Sequence, residues 1–413
     1  MTADTRTILL SLLALAIAGV TCFAVSPLIK RFASVVGAID VPKDDRRMHT
    51  VPIPRLGGLA IFIGFLASVL LVVDIDRQIQ GILLGAVVIV IMGVLDDIYR
   101  LPAWPRLLVQ IGAAILPISH GVVAETLSNP FFFLNQDYFD LGILSIPFTI
   151  VWIVGITNAV NWIDGLDGLA LGVSAIASFS LLVIALLLAL PVPHTLLLAA
   201  LTGACLGFFP YNLNPAKMFM GDTGAMFLGF LLATTSIQGL FKFYAVISFA
   251  VPFLILGLPI FDTMSSIIRR VSKGKSPASA DRGHVHHRLI DMGFSQKQSV
   301  AILYTMSAIL GLSAVLLTAS GEIKALLLIL AVIAASFIGF RVYKSVSGGG
   351  NGRAEETPPA EVASSLGSLS ATEDPSPAGE DVPAGEDASG ARAFPDVDDV
   401  RGDVDTSGPG DGA

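Results

Sequence analysis

Along most of the chain, long apolar runs alternate with short polar stretches, at a spacing suited to a bilayer. A hydrocarbon core about 30 Å thick takes about 17–25 apolar residues per helix. Eleven runs meet or approach that length: 8–29, 56–73, 79–95, 107–124, 141–157, 169–190, 195–209, 223–239, 243–261, 299–319 and 325–340. None contains Asp, Glu, Lys or Arg. The pattern predicts an all-α polytopic membrane protein of about eleven transmembrane helices, because a lipid-facing backbone must satisfy its own hydrogen bonds. The first run is predicted to be an uncleaved anchor. Only Arg6 precedes it as a cation, its apolar stretch is long, and Lys30 and Arg31 follow it.

Charge then orients the spans. Alternate loops fall on opposite sides. One set carries 18 Lys and Arg, including Lys30, Arg31, Lys43, Arg55, Arg106, Lys217, Arg269, Arg270 and Arg288; the other carries Arg6, Arg77, Lys242 and Lys324. The positive-inside rule puts the first set in the cytoplasm, the N-terminus outside and the C-terminus inside. The expected location is the inner (cytoplasmic) membrane.

Composition agrees: 54% of the 413 residues are hydrophobic and 14% charged, against about 25% charged in a soluble domain. The net charge of −8 conceals a division. Residues 345–413 hold 15 Asp+Glu and 3 Lys+Arg, so residues 1–344 are mildly basic, with 22 Lys+Arg against 18 Asp+Glu. The 345–413 segment is rich in Pro, Gly, Ala, Asp and Glu, with Phe394 its one aromatic residue. It cannot bury enough apolar surface to offset chain entropy and is expected to be a disordered acidic cytoplasmic tail behind a 1–344 membrane domain. Cys22 and Cys205 both lie in apolar runs, which excludes a disulfide scaffold or a cysteine zinc site. No nucleic-acid partner is expected.

The polar residues collect at the predicted cytoplasmic ends of the runs, in five places. DVPKDDRRMHTVPIPRLGG at 40–58 holds Asp40, Lys43, Arg46, Arg47, His49 and Arg55. It reads as positive-inside flanking or as a grip on phosphate oxygens. Asp96 and Asp97 end the third run, where a helix dipole disfavours carboxylates. They read as a solvated loop, a Mg²⁺ site or a base, since adjacent like charges raise one pKa. NAVNWIDGLDG at 158–168 brings Asn158, Asn161, Asp164 and Asp167; it reads as a turn, or as oxygen ligands sharing one face if helical. Asp222, in NLNPAKMFMGDTG at 212–224, reads as the N-cap of the eighth span or as a ligand for a phosphate-bridging Mg²⁺. DRGHVHHR at 281–288 concentrates His284, His286 and His287 between Arg282 and Arg288. It reads as an anion clamp, as a solvated basic loop, or as a transition-metal site, which would rarely be built from three such close ligands without cysteine; the anion clamp suits it best. Carboxylates for a divalent ion together with His and Arg for phosphate suit phosphoryl transfer, which needs charge neutralisation and alignment. A transporter would instead carry ionisable groups near the bilayer midplane.

Four segments carry a more specific likeness: LDD at 95–97, NAVNWIDGLDGLALG at 158–172, FMGDTGAMFLG at 219–229 and RGHVHHRL at 282–289. In this order, behind the 40–58 segment, they resemble the polyprenyl-phosphate N-acetylhexosamine-1-phosphate transferases. The likeness covers the membrane body and leaves out the tail. The His-x-His-His-Arg form is similar to the branch that makes polyprenyl-diphosphate-GlcNAc. Tyr99 and Arg100 after the double Asp depart from the branch that uses UDP-MurNAc-pentapeptide for peptidoglycan. The resemblance implies an undecaprenyl-phosphate GlcNAc-1-phosphate transferase with ten or eleven helices around a cytoplasmic cleft, often a homodimer. Its substrates would be a UDP-N-acetylhexosamine and a polyprenyl phosphate, and its cofactor Mg²⁺, or Mn²⁺ in its place. Asp222 would be the principal metal ligand and Asp167 a second. Asp96 and Asp97 would position or deprotonate the polyprenyl phosphate, and Asp164 would support nucleotide or metal placement. His284, His286, His287 and Arg288 would bind the sugar nucleotide, with Asn161, Asp40, Lys43 and Arg55 as further substrate contacts.

Overall fold

A computed structural model describes residues 4–41, 51–128, 138–239, 250–274 and 283–319. Lys43, Arg282, the last predicted span (325–340) and the acidic segment 345–413 lie outside the described residues. Within them the chain is almost wholly helical: α1 (Thr5–Val35), α2 (Gly57–Val72), α3 (Arg77–Tyr99), α4 (Ala103–Ser119), α5 (Ser145–Ile163), α6 (Leu169–Leu187), α7 (Val192–Asn212), α8 (Gly221–Gly239), α9 (Ala250–Ile255), α10 (Gly257–Ser272), α11 (Val285–Asp291) and α12 (Gln296–Thr318). Two short antiparallel hairpins join them: β1 (Ile39–Asp40) with β2 (Ile53–Pro54), and β3 (Thr126–Ser128) with β4 (Tyr138–Asp140). Six helices among the described residues are long and apolar enough to cross a membrane: α1, α3, α5 with the turn before it, α6, α7 and α12. The protein is an all-α polytopic membrane protein. Val20, Leu71, Val151 and Ile268 are among the large apolar side chains left facing outward, as a lipid-exposed surface allows.

The helices start and stop for local reasons. Asp4 caps α1 by accepting the Thr7 N–H at 2.8 Å, and Asp76 caps α3 by accepting the Ile79 N–H at 2.8 Å. Ser295 and Gln298 form a capping box at the start of α12. α3 stops where Arg100 turns left-handed, at φ 54°. The apolar run 243–261 does not form one span among the described residues. The chain breaks at Leu256, between Pro252 and Pro259, and α10 runs on through the polar stretch to Ser272. The polar segment 158–168 is likewise only partly a loop, since α5 continues to Ile163.

α8 is the central helix. It packs against α2, α3, α5, α6 and α7, and its residues 223–238 other than glycine are buried. Between helices in lipid the hydrophobic effect gives little drive, so close packing has to supply the attraction. At the start of α8 the approach is backbone on backbone: a Cβ on Gly58 of α2 would lie 2.0 Å from the Gly224 nitrogen. The orphan N–H groups of Gly57 and Gly58 are met by the carbonyls of Phe219 and Met220, at 2.9 and 2.8 Å. The start of α2 is thereby fixed to the segment that leads into α8.

Candidate active site

The start of α8 is also where α3 ends. Asp97 Oδ1 accepts the Asp222 N–H at 3.0 Å; its Oδ2 accepts the Thr223 N–H at 3.0 Å and the Thr223 hydroxyl at 2.6 Å. Asp97, rather than Asp222, therefore caps α8. The cap comes from a different helix, and a carboxylate that opposes the dipole of α3 is favoured by that of α8. Gly221 makes this possible: its φ is +70°, and a Cβ there would fall 2.4 Å from the Asp97 carboxylate. Asp222, relieved of capping, lies half-buried in the first turn. Its Oδ1 accepts a 2.6 Å hydrogen bond from Asn161 Nδ2, near the end of α5.

Asp96, one residue earlier, is tied differently. It accepts the Leu101 N–H at 2.7 Å and pairs with Arg106 of α4 at 2.7 Å. Asp167, just before α6, accepts through its Oδ2 from Asn214 Nδ2 at 2.9 Å and from the Ala216 N–H at 3.0 Å, which locks the segment between α7 and α8. Tyr304 of α12 donates to the Gly168 carbonyl at 2.5 Å and holds the same turn from the other side. Asp164 directly follows α5 and so does not share a helix face with Asp167. Among the described residues no donor reaches the Asp164 carboxylate. Burial, then the charges of Asp222, Asp97 and Asp167, push its carboxyl well above the usual carboxylate range, and Arg55 offsets only part of this. Arg55 itself pairs with Asp40 at 2.7 Å across the β1–β2 hairpin.

The histidine segment docks on this group. A Cβ on Gly165 would lie 2.2 Å from His286 Nε2, so α11 rests on the Asp164–Asp167 turn. His284 and His286 are buried, His287 is half-buried and Arg288 is exposed. Burial first, and the field of His287 second, lower the His286 pKa to about 4, which leaves it neutral at pH 7. His284 is held by a residue the sequence patterns did not single out. Asp262 of α10 is 3% exposed; its Oδ2 lies 2.8 Å from His284 Nδ1 and its Oδ1 accepts the Val285 N–H at 2.8 Å. Arg270, also on α10, stands 5.1 Å from the centre of the Trp162 ring and 3.4 Å from His284 Nε2. A lone carboxylate just after a proline-broken apolar run was the available signal for Asp262. For Arg106 it was a cation in the first turn of an otherwise apolar helix.

Ends of α2, α3, α5, α6, α8 and α11 thus meet, and of the polar residues singled out in the five clusters of the sequence all but Lys43, Arg46, Arg47, His49 and Arg282 fall among the described residues. No three His, Cys, Asp or Glu side chains among the described residues form a ready-made metal cage. Mg²⁺ needs none, since it is usually held by one or two carboxylates plus substrate phosphates and water. Among the described residues Asp164 meets no donor and Asp222 has one oxygen uncommitted, which fits such an ion, and a cation would relieve the repulsion that adds to burial in raising Asp164.

A polytopic helical membrane protein with acidic helix ends gathered at one site defines the class. The comparisons specify it: residues 79–240 match the model of glycosyl transferase family 4. A probable undecaprenyl-phosphate N-acetylglucosaminyl 1-phosphate transferase of Bacillus subtilis (strain 168) is 42% identical over 298 residues, 72% of this chain and 82% of the relative. A decaprenyl-phosphate N-acetylglucosaminephosphotransferase of Mycobacterium tuberculosis (strain H37Rv) is 33% identical over 332 residues, 74% of this chain and 81% of the relative. A phospho-N-acetylmuramoyl-pentapeptide-transferase of Clostridium beijerinckii is 31% identical over 270 residues, 62% of this chain and 80% of the relative. The chain belongs to glycosyl transferase family 4.

Proposed function

We propose that this protein transfers N-acetylglucosamine-1-phosphate from UDP-GlcNAc to a polyprenyl phosphate, the first lipid-linked step of a cell-envelope polysaccharide. The names of the relatives at 42% and 33% identity support the donor sugar and the lipid acceptor. The observation that carries the chemistry is the gathering of Asp97, Asp164, Asp167 and Asp222 at helix ends, with no donor to Asp164 among the described residues.

In this reading an oxygen of the polyprenyl phosphate attacks the β-phosphorus of the UDP-sugar. The new P–O bond forms as the bond from that phosphorus to the bridging oxygen breaks, and UMP leaves with the electron pair. Asp222 and Asp164 would hold Mg²⁺, which when bound offsets the charge on the diphosphate and the leaving UMP. Asn161 keeps one oxygen of Asp222 occupied, and the other would serve the ion. Asp97 fixes the first turn of α8, and Asp96 fixes Arg106 beside it. Arg55, His287 and Arg288 carry the accessible positive and polar groups for the substrate phosphates, while His284 and His286, both buried, set the position of α11. Lys43 is assigned to the same phosphate contacts. The acceptor phosphate is already ionised at neutral pH, so orientation and charge neutralisation matter more than a strong base. The excess of Lys and Arg in alternate loops supports a cytoplasmic active site in the inner membrane.

The test is product formation by the purified full-length chain. It is supplied with polyprenyl phosphate and a panel of UDP-sugars that includes UDP-MurNAc-pentapeptide, with and without Mg²⁺. UMP release and a lipid whose mass adds one GlcNAc-1-phosphate are expected with UDP-GlcNAc. A product made only from UDP-MurNAc-pentapeptide would move the protein to the peptidoglycan branch, and lipid movement without UMP release would make it a transporter.

A further inference from the structure

At the same bundle end as the acidic cluster, but on the flank formed by α1 and α7, three cations surround one cavity. The cavity measures about 360 Å³ and is lined by Pro27, Lys30, Arg31, Ser34, Tyr211 and Lys217. Its frame follows from Pro27. A proline inside a helix has no N–H for the carbonyl four residues back. Here that carbonyl, on Phe23, accepts the Tyr211 hydroxyl at 3.2 Å. The Tyr211 carbonyl in turn accepts the N–H groups of Lys217 at 2.8 Å and Met218 at 3.0 Å. This closed loop places Lys217 opposite Lys30 and Arg31.

Lys and Arg near the end of α1 could serve only the helix dipole. That does not account for Lys217, which arrives from a different element to face the same space. Among the described residues none of the three cations meets a carboxylate. Uncompensated like charges around one cavity favour an anion there. The neighbouring surface of α1 is apolar and open: Phe23, Leu28 and Phe32 are 50%, 60% and 45% exposed. A ligand that is anionic at its head and apolar along its tails matches both parts.

We propose that Lys30, Arg31 and Lys217 bind the phosphate of an anionic phospholipid headgroup whose acyl chains lie along α1. The site is separate from the substrate cleft. It adjoins that cleft through the segment between α7 and α8, which Asp167 holds at Asn214 and Ala216. The inference does not depend on the transferase reading, and its test reads binding rather than turnover.

The experiment is native mass spectrometry of the full-length chain with phosphatidylglycerol or phosphatidylcholine, in the presence and absence of millimolar inorganic phosphate. Phosphatidylglycerol is expected to stay bound preferentially, and inorganic phosphate to leave it in place. One interfacial cation is worth about fivefold in binding an anionic lipid. Lys217→Gln should weaken retention by about that factor, and the triple variant Lys30→Gln/Arg31→Gln/Lys217→Gln by about a hundredfold. Lys297→Gln, on α12, should have no effect. Three results would overturn the proposal: equal retention by wild type and Lys217→Gln, no preference over phosphatidylcholine, or displacement by inorganic phosphate. The single variant leaves α1 intact, so it decides the matter if the triple variant fails to fold.

Discussion

Asp97 and Asp222 exchange the roles that their positions in the sequence suggest. A carboxylate at the end of one helix caps the next, and the carboxylate that stands in the capping place accepts from Asn161 through one oxygen instead. Replacing Asp97 by Asn removes the charge and one acceptor from the α8 amides. A lost cap costs about 0.5–2 kcal/mol, so Asp97→Asn should lower the unfolding midpoint as well as the rate. Thr223→Val, which removes only the hydroxyl contact, should lower both by less; the check is thermal unfolding and turnover on the same preparations. His286 gives a pH signature. Its folded pKa, about 4, lies below the unfolded value of about 6.5, so the unfolded state takes up a proton first as pH falls. The stability that depends on a neutral His286 is complete above pH 6.5 and is lost as pH drops from there towards 4. Unfolding temperatures between pH 7.5 and 4.5 should therefore fall less steeply for His286→Gln than for wild type.

Among the elements, α11 is too short to hold its place by itself and depends on α10. Asp262 fixes the ring of His284 and the first N–H of α11. Asp262→Asn keeps the shape but loses the charged partner of the imidazole. It should raise KM for UDP-GlcNAc by about tenfold or more, the scale of lost supporting contacts around a site, with a smaller effect on kcat and on KM for polyprenyl phosphate. Asp262→Glu should restore part of the loss. Equal changes in all constants would mean that Asp262 serves only the fold. Much of this architecture was legible beforehand. The apolar runs around α2, α3, α6, α7, α8 and α12 match those helices closely, because a membrane span has to be continuous and uncharged. The break at Leu256 and the extension of α10 were not legible. Pro252 and Pro259 sit inside an apolar run, and the run's length outweighed them. Asp262 offers only the faint signal of a carboxylate just after that run, and it and Arg270 gain their roles when α10 is seen to lie against α5 and α11.

Over the molecule as a whole, the acidic helix ends, Arg55, Arg106 and Arg270, and the histidine segment share one end of the bundle, while α8 runs through its centre and ties the site to the packing. The sequence already grouped these residues by side of the membrane. What it could not supply was which oxygens are spent on structure and which stay open, because that is decided by contacts between residues more than a hundred positions apart, such as Asp97 with Thr223. Among the described residues Asp96, Asp97 and Asp167 have oxygens committed to neighbouring donors, whereas Asp164 has none committed and Asp222 one. The most direct measurement is the rate of polyprenyl-diphosphate-GlcNAc formation against Mg²⁺ concentration for wild type, Asp222→Asn and Asp164→Asn, each shown to be folded. Rates should fall at least about a hundredfold in both variants, and the residual activity of each should need more Mg²⁺ to reach half its maximum. Wild-type rates and an unchanged Mg²⁺ requirement in Asp222→Asn would contradict the assignment of a divalent ion to these helix ends.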